Sequence, residues 1–370
     1  MIYSRSAAHS PYMEWAKLQS VAKYNLATSG MVSFPLAELG VTIDQLKING
    51  PSIYGYEPLL QAIARRYRVP QECVVSAVGT SLANYLALAG VTEPGDEILV
   101  EQPTYELILS TAQYLGLEIK RFPRRAENNF AIDLTDIERN ITPRTRAIVI
   151  CNLHNPSGAL VPDSILRQVG ELARKANAYV IVDEVYREML YESVPASAFH
   201  IDPDRFIVTN SLTKAYGLSG LRCGWVLAPS ALARHMFRIN DLLGATFAHP
   251  AELLSVIAFE KLGVIAERMK SMLNTNRLLL RDFLNTRDDL DYFWSDYGTI
   301  VFPRLKHGNM DAFCQLLRKD FETSVVPGRF FEDAGRMRIG VGTPTEAVRE
   351  SLQQLSSGLD LYQATLQVGV

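Results

Sequence analysis

Features that would place this chain among membrane or nucleic-acid-binding proteins are missing from its sequence. No apolar run approaches the roughly 20 residues that cross a bilayer, so we expect no membrane segment. Lysine and arginine together number 37 and aspartate and glutamate 40, so there is no basic excess to favour nucleic acid. Residues 1–17 lack a positive region followed by an apolar one, and we expect no signal peptide.

Cysteine is scarce, and the cofactor motifs of two large enzyme classes are absent. Four cysteines are scattered over 370 residues without CxxC spacing, which is typical of a reduced, cytoplasmic protein. We expect no metal site. Neither a GxGxxG after a strand nor a GxxxxGK occurs, and this disfavours a nicotinamide dehydrogenase on a doubly wound sheet.

What the chain does have, between residues 74 and 228, is an alternation of strand-like and helix-like segments. Amphipathic stretches such as Ser81–Ala89 and Ser164–Ala176 show helical spacing. The β-branched runs between such stretches are Val74–Val78, Glu97–Glu101, Ala147–Asn152, Tyr179–Asp183, Phe206–Ser211 and Arg222–Ala228. This alternation predicts an α/β fold with a mostly parallel sheet covered by helices on both faces.

The last hundred residues follow a different pattern. A long helical stretch from Ala231 to about Phe283 precedes short strands near Thr299–Phe302 and Arg338–Val341, and then a terminal helix. We predict a smaller α+β domain here, joined by the N-terminal segment. The predicted division is a large domain over residues 48–270 and a small domain over residues 1–47 and 271–370.

The first candidate for chemistry is Lys214, just past the strand that ends at Ser211. A lysine in a desolvated pocket has a lowered pKa, and its neutral amine can attack a carbonyl. Ser211, Thr213 and Arg222 offer two hydroxyls and a guanidinium, which suit a phosphate dianion. The alternative is a strand-terminal lysine that extends into solvent, and the Gly-x-Arg-x-Gly at residues 220–224 argues against it.

Ser211 and Lys214 also match the SxxK pattern of serine acyl-enzymes such as β-lactamases. That function needs companion SDN-like and KTG motifs. The chain contains Ser295-Asp296-Tyr297 but no KTG, so the pattern disfavours an acyl-enzyme.

Polar residues also end the neighbouring strands. Asp183 follows an apolar strand and, once buried, needs a cationic partner such as a protonated pyridine nitrogen. Its alternative role is an ordinary helix N-cap. Asn155 lies in the turn at residues 152–158, which can aim its amide at the sheet edge, although a plain turn explains the same residues.

Gly79, Thr80 and Ser81 open a helix directly after a strand. Backbone N–H groups at a helix start, with two hydroxyls and a glycine that permits close approach, make an anion site. A plain N-cap is the alternative. Tyr105 follows the next strand and could present its ring to a flat ligand, although a core tyrosine fits as well. All these motifs lie at strand ends, where ligands bind in such sheets, and together they favour one shared site.

In this order and spacing, the motifs resemble those of the class I and II aminotransferase family, fold-type I enzymes that depend on pyridoxal 5'-phosphate (PLP). The resemblance covers most of the chain, from about residue 25 to 342. It implies that Lys214 forms a Schiff base with PLP and shuttles protons. It also implies that Asp183 pairs with the pyridine nitrogen, and that Tyr186 and Asn155 hold the ring oxygen.

The resemblance implies further cofactor contacts. Tyr105 is similar to the aromatic residue that stacks on the ring. Tyr54 resembles a tyrosine that reaches the phosphate from the partner subunit, so we expect a homodimer with shared active sites. The residues that match the phosphate cup are Gly79, Thr80, Ser81, Ser211, Thr213 and Arg222.

On the substrate side, Arg338 resembles the arginine that binds the α-carboxylate, and Asn155 is implied beside it. Gly30 lies in the segment 27–31, where relatives often read Gly-x-Pro and touch the substrate. The implied reaction is a ping-pong transfer of an amino group between an α-amino acid and a 2-oxo acid.

Two other functions use the same motifs. A PLP lyase, decarboxylase or oxidase would share the site, because the chemistry diverges only after the Cα proton has left. A cofactor-binding regulatory module is usually fused to a DNA-binding domain, and the first motifs begin too early to leave room for one.

Overall fold

The structure is a computed structural model that describes residues 9–192 and 195–368. Residues 1–8 of the predicted small domain lie outside the described residues. The α-helices in the described ranges are α1 (Pro11–Leu18), α2 (Glu57–Tyr67), α3 (Gly79–Val91), α4 (Glu106–Tyr114), α5 (Leu134–Asn140), α6 (Asp163–Lys175), α7 (Ser230–Leu243), α8 (His249–Glu260), α9 (Leu262–Asn285), α10 (Met310–Phe321) and α11 (Thr345–Val368).

The strands form one large sheet and several two- or three-stranded pairings. They are β1 (Tyr24–Asn25), β2 (Val74–Val78), β3 (Glu97–Gln102), β4 (Glu118–Pro123), β5 (Thr145–Cys151), β6 (Tyr179–Asp183), β7 (Phe206–Ser211), β8 (Cys223–Leu227), β9 (Leu290–Asp291), β10 (Ile300–Val301), β11 (Arg304–Leu305), β12 (Thr323–Ser324), β13 (Val326–Pro327) and β14 (Met337–Gly340).

The large sheet has seven strands in the order β2-β8-β7-β6-β5-β3-β4. Strands β4, β3, β5, β6 and β7 pair in parallel, whereas β8 runs antiparallel to both β7 and β2. Strands β2, β5, β6 and β7 therefore share a direction, and their carboxyl ends lie at one edge of the sheet. The predicted α/β fold with a mostly parallel sheet is confirmed.

Helices cover both faces because the central strands are apolar on both sides. On one face, Val75 and Ile207 pack with Leu86 of α3 and Met236 of α7. On the other face, apolar residues such as Val180 and Val208 join a cluster that includes side chains of α2, α6 and α9. A strand buried on both faces reads as a continuous apolar run, and this made the central strands recognisable in the sequence.

The N-terminal segment packs against the C-terminal part of the chain, as predicted. Strand β1 pairs in parallel with β12, and β14 pairs antiparallel with both β10 and β13. The pairing of β1 explains why the short first segment has no core of its own. The division into a large domain over 48–270 and a small domain over the remainder stays a prediction.

One sequence prediction about an element needs correction, and one strand was missed. The single helical stretch predicted from residue 231 to about 283 consists of three helices, α7, α8 and α9. A turn containing Gly244 separates α7 from α8, and α9 follows α8 after a break at Lys261. Strand β4 was not predicted, because this partly buried edge strand carries charged residues that interrupt the apolar run. Within the described residues, no helix is both long and apolar enough to span a membrane.

Candidate active site

The polar residues predicted at strand ends meet at one edge of the large sheet. Asp183 is the last residue of β6 and Ser211 the last of β7. Strand β8 begins at this same edge because it runs the other way, so Arg222, just before it, lies near the end of β2. Val78 and Cys223 are register partners, and the Gly79 N–H donates to the Arg222 carbonyl over 2.8 Å.

A cavity of about 260 Å³ opens at this edge. It lies between the strand ends, the helix α1 and the region around β14. Its lining residues are Tyr12, Met13, Ala16, Ser29, Thr80, Ser81, Asn84, Tyr105, Cys151, Asn155, Asp183, Val185, Tyr186, Ser211, Thr213, Lys214, Arg222 and Arg338.

The amine of Lys214 lies in this cavity and has a lowered pKa. Burial lowers the pKa of the amine to about 8, and the charge of Arg338 acts in the same direction while Asp183 opposes it. The Nζ atom donates a hydrogen bond to Ser29 Oγ over 3.0 Å. At neutral pH a much larger share of this amine is neutral than for an ordinary lysine, so it is a competent nucleophile and base.

Asp183 is a buried carboxylate held by two donors. Asn84 Nδ2 donates to its Oδ2 over 2.9 Å, and the Val185 N–H donates to its Oδ1 over 3.0 Å. Burial raises the pKa of the Asp183 carboxyl to about 6, although these hydrogen bonds and the Lys214 charge act in the opposite direction. A cationic ligand group beside Asp183 would lower the pKa of the carboxyl again and so favour its ionised form.

Hydroxyl and guanidinium donors cluster at one end of the cavity. Thr80 Oγ1 donates to Ser211 Oγ over 2.8 Å, and Thr213 N donates to the same oxygen over 3.3 Å. Gly79, at the start of the 13-residue α3, has a φ of +75°. A Cβ on Gly79 would lie 2.3 Å from Arg222 Nη2, so a side chain here would displace the guanidinium. This end of the cavity suits a dianion such as phosphate.

At the far side of the cavity lies Arg338, which is 1% exposed. Its Nη1 donates to Asn155 Oδ1 over 2.9 Å, and its Nη2 donates to the Tyr12 hydroxyl over 3.0 Å. Its Nε is buried without a hydrogen-bond partner within the described chain. A buried N–H of this kind calls for an acceptor from a ligand, and a planar guanidinium matches a carboxylate.

Aromatic residues close the cavity between these two ends. Tyr105 packs edge-on against Tyr12 with 5.6 Å between ring centroids, so α1 and the start of α4 form one wall. Tyr186 also lines the cavity, and burial raises the pKa of its phenol. The Tyr186 hydroxyl therefore stays protonated at neutral pH.

Most residues singled out from the sequence lie on this cavity, and three do not. Gly30 lies just behind it, where a Cβ would stand 3.2 Å from Lys214 Cδ. Gly79 lies beside the Arg222 guanidinium and leaves room for it because it has no side chain. Tyr54 lies away from the cavity of its own chain: its ring packs on Phe237, and its hydroxyl lies 3.4 Å from Asp241 Oδ2.

Several lining residues were missed in the sequence. Asn84 carried a usable signal, because it is a polar residue in an apolar helix, three positions after Ser81 and thus on the same face. Ser29 lies in the segment 27–31 already singled out for Gly30, whereas the α1 residues Tyr12, Met13 and Ala16 carried no signal, since they reach the cavity only through tertiary packing. Cys151 also lines the cavity and is 1% exposed.

The chain is similar to known proteins in both sequence and fold. The profile of the family described as aminotransferase class I and II matches residues 43–355. Capreomycidine synthase of Streptomyces vinaceus is 31% identical over 367 residues, which cover 95% of this chain and 94% of that protein. An arginine–pyruvate transaminase of Pseudomonas aeruginosa is 30% identical over 318 residues, or 82% of this chain and 80% of that protein.

Among solved structures, a PLP-dependent aminotransferase from Streptococcus suis is similar to this chain with a TM-score of 0.88. The two sequences are 28% identical, and the alignment covers 94% of this chain and 96% of the other. The similarity therefore includes both the large sheet and the smaller C-terminal pairings.

Proposed function

Because this chain belongs to the class I and II aminotransferase family, we propose that its cavity binds PLP through Lys214. The chain is an enzyme that transfers an amino group between an α-amino acid and a 2-oxo acid. The observation that carries the cofactor proposal is a single cavity in which the Lys214 amine, the Asp183 carboxylate and the Arg338 guanidinium meet. The amine can bind the PLP aldehyde, the carboxylate can pair with the protonated ring nitrogen, and the guanidinium can bind the substrate carboxylate.

The donor set supports this cofactor beyond the family membership. The hydroxyls of Thr80, Ser211 and Thr213, with Arg222, would hold the phosphate at the start of α3. Asp183 would hold the proton of the ring nitrogen, which accounts for a buried carboxylate that forms no ion pair with any side chain in the part of the chain that the structure describes. Tyr186 would donate to the ring oxygen, and Tyr105 would cover one face of the ring.

When bound, PLP supplies an aldehyde that exchanges amines and a ring that takes up electrons from the substrate Cα. Lys214 would hold the cofactor and, once displaced, would move the proton at Cα, a task that suits an amine with a pKa of about 8. Arg338 would bind the α-carboxylate through its unused N–H groups. Asn155 would keep that guanidinium in place, and α1 would exclude water from the cavity.

The direct test uses Lys214→Ala. Borohydride should trap the cofactor of the wild-type enzyme on Lys214 alone, as located by peptide mapping. The alanine variant should lose both the trapped adduct and turnover. Trapping at another lysine, or full activity of the variant, would refute the assignment. Lys175, in the last turn of α6 outside the cavity, offers the matched control, since Lys175→Ala should keep both.

A second candidate reaction deserves its own test, because one relative of similar identity is named a synthase rather than a transaminase. A lyase, decarboxylase or oxidase would use the same site. With an amino donor alone, an aminotransferase should release one equivalent of oxo acid per site and stop, then resume when a second oxo acid is added. Continuous ammonia or carbon dioxide release without an oxo acid would favour the second candidate.

For the substrate, we propose that a donor panel should include arginine, because another relative is named an arginine–pyruvate transaminase. The panel should also contain acidic, aromatic and aliphatic amino acids at equal concentration. The identified product, rather than cofactor bleaching alone, decides which donor is used.

We also propose a homodimer that works in the cytoplasm. Tyr54 packs on α7 outside its own cavity, and exposed apolar side chains flank this region, with Ile48 82% and Leu242 86% exposed. A two-fold contact over this surface would bury them and bring Tyr54 towards the partner's phosphate site. Four free cysteines support a reducing compartment.

A further inference from the structure

A buried carboxylate next to the active site is unexplained by the proposed chemistry. Glu188 is 2% exposed and lies in the 3-10 turn Arg187–Leu190, two residues after Tyr186. Its oxygens receive hydrogen bonds from the guanidinium of Arg66 and from the hydroxyls of Tyr67 and Tyr216. So many donors on one carboxylate leave it little freedom to move.

The donors come from two distant parts of the chain. Arg66 and Tyr67 end helix α2, and the Arg66 Nε lies 3.2 Å from Glu188 Oε1. Tyr216 comes from the loop after β7, and its hydroxyl also accepts from Arg66 Nη2 over 2.8 Å. Burial and the Glu188 charge raise the pKa of both phenols, so both hydroxyls remain protonated donors.

This cluster joins the two segments that carry Tyr186 and Lys214. Tyr216 follows Lys214 by two residues, and its hydroxyl donates to Glu188. A second link runs alongside, because the Tyr191 hydroxyl donates to the Ala215 carbonyl over 3.0 Å. These two hydrogen bonds connect the segment that carries Tyr186 to the segment that carries Lys214. Both Tyr186 and Lys214 line the cavity.

We propose that Glu188 is a positioning residue, which acts through Tyr216 to hold Lys214 Nζ at its working distance from the cofactor and from Tyr186. The proposal rests on the role of Lys214 proposed above. If Glu188 served only to neutralise the charge of Arg66, the ion pair between them would be sufficient. The additional hydroxyl of Tyr216 connects it to the lysine loop.

The test separates positioning from stability by removing one hydroxyl. Tyr216→Phe keeps the Glu188–Arg66 pair and the bond from Tyr67. It also leaves unchanged the charged groups that face Lys214, namely Asp183, Arg222 and Arg338. In the PLP-loaded enzyme, we expect the pH midpoint of the cofactor absorbance to shift by about half a unit or more, because Lys214 moves relative to those charges. We expect kcat to fall about tenfold with KM within about twofold.

Glu188→Gln should shift the pH midpoint of the cofactor absorbance further than Tyr216→Phe does. It removes the negative charge to which Arg66, Tyr67 and Tyr216 all donate hydrogen bonds. The matched control is Asp136→Asn, another buried carboxylate, which pairs with Arg125 away from the cavity. It should lower the melting temperature without moving the absorbance midpoint or kcat. A Tyr216→Phe enzyme that loses melting temperature, yet keeps the wild-type midpoint and kcat, would overturn the proposal.

Failure of the proposal is distinguishable from failure of the proposed function. If Lys214 does not hold the cofactor, borohydride trapping fails already in the wild type. If Tyr216→Phe does not fold, Tyr191→Phe removes the parallel link from a partly exposed ring and should still shift the midpoint from its wild-type value. A folded Tyr191→Phe enzyme without any shift would then count against positioning by these two links.

Discussion

Asn84 holds Asp183 in place from a neighbouring helix. Its Nδ2 donates to Asp183 Oδ2 over 2.9 Å, while its own Oδ1 accepts from Thr209 Oγ1. The Thr209 hydroxyl therefore fixes which way the Asn84 amide points, and the amide presents a donor to the carboxylate. Such a donor favours the ionised form of Asp183, which is the form that would pair with a protonated ring nitrogen.

Asn84→Ala should therefore weaken PLP binding. Losing the donor raises the pKa of Asp183 further from about 6, so less of the carboxylate is ionised at pH 7. A hydrogen bond to a charged group contributes about 1.5 kcal/mol or more, which corresponds to about a tenfold rise in the PLP Kd. The loss should shrink towards pH 9, where Asp183 is ionised in both proteins.

Equilibrium dialysis of PLP at pH 6, 7 and 9 checks this dependence. Thr209→Val is the matched control, because it keeps the Asn84–Asp183 bond and should have a smaller effect. An Asn84→Ala protein with an unchanged Kd at pH 6 would contradict the role given to Asn84.

The lowered pKa of Lys214 predicts the pH dependence of its reactivity. In the cofactor-free protein, acetylation of Lys214 should rise with pH around a midpoint near 8, as followed by mass spectrometry against a free lysine peptide. Asp183→Asn should move this midpoint lower, since Asp183 raises the lysine pKa. PLP should protect Lys214 from acetylation, and a midpoint above 10 would contradict a desolvated amine.

The same shift has a consequence for stability. Lys214 is less basic in the folded protein than in the unfolded chain, so between pH 8 and about 10.5 the unfolded chain binds more protons. The free energy of unfolding of the cofactor-free protein, relative to Lys214→Met, should rise through this window by up to about 3 kcal/mol. Urea titrations at pH 7.5 and 10.5 measure this difference; a fall over the same window would have the wrong sign.

Helix α1 should influence which side chains the enzyme accepts. Ala16 lines the cavity, and Ala16→Phe would fill space beside Met13 that a substrate side chain could occupy. We expect kcat/KM to fall about tenfold for large donors but little for alanine, with the PLP Kd unchanged. Leu18→Phe is the control, because Leu18 lies on the same helix but is 72% exposed and outside this cavity. Equal losses for small and large donors would argue against a side-chain subsite here.

Shared active sites predict complementation between two inactive variants. Lys214→Ala and a Tyr54-disrupted variant should each be impaired, yet their heterodimer has one site with both defects and one with neither. Co-expression with two affinity tags isolates that heterodimer, and part of the activity should return. A purified heterodimer without activity, alongside an impaired Tyr54 variant, would mean that Tyr54 serves its own subunit.

The sequence predicted the strand ends well and the cavity wall poorly, for a physical reason. Central strands are apolar on both faces, so the polar residue that ends each one, such as Asp183 or Ser211, stands out locally. Lys214 and Arg222 were found because they follow or precede such strands directly. The placement of these residues depends on short stretches of sequence, and a local pattern is enough to predict it.

The missed residues depend on contacts between distant segments. Tyr12 reaches Arg338 only because α1 packs beside the β14 region, and Glu188 gathers Arg66 and Tyr216 from two separate elements. No local sequence pattern predicts contacts between residues that lie this far apart in the chain. The partly buried edge strand β4 was missed for a different reason, since its charged residues interrupt the apolar pattern that strands usually show.

The pairing of β2 with β8 has a consequence for how the chain acquires its binding capacity. Val78 and Arg222, which meet beside the end of the cavity proposed to hold the phosphate, are 144 positions apart in the chain. We expect contacts of such long sequence separation to form late in folding, because they close long loops at a large cost in chain entropy. During refolding, recovery of PLP binding should therefore lag behind recovery of helical structure, so that cofactor uptake marks completion of the sheet rather than its beginning.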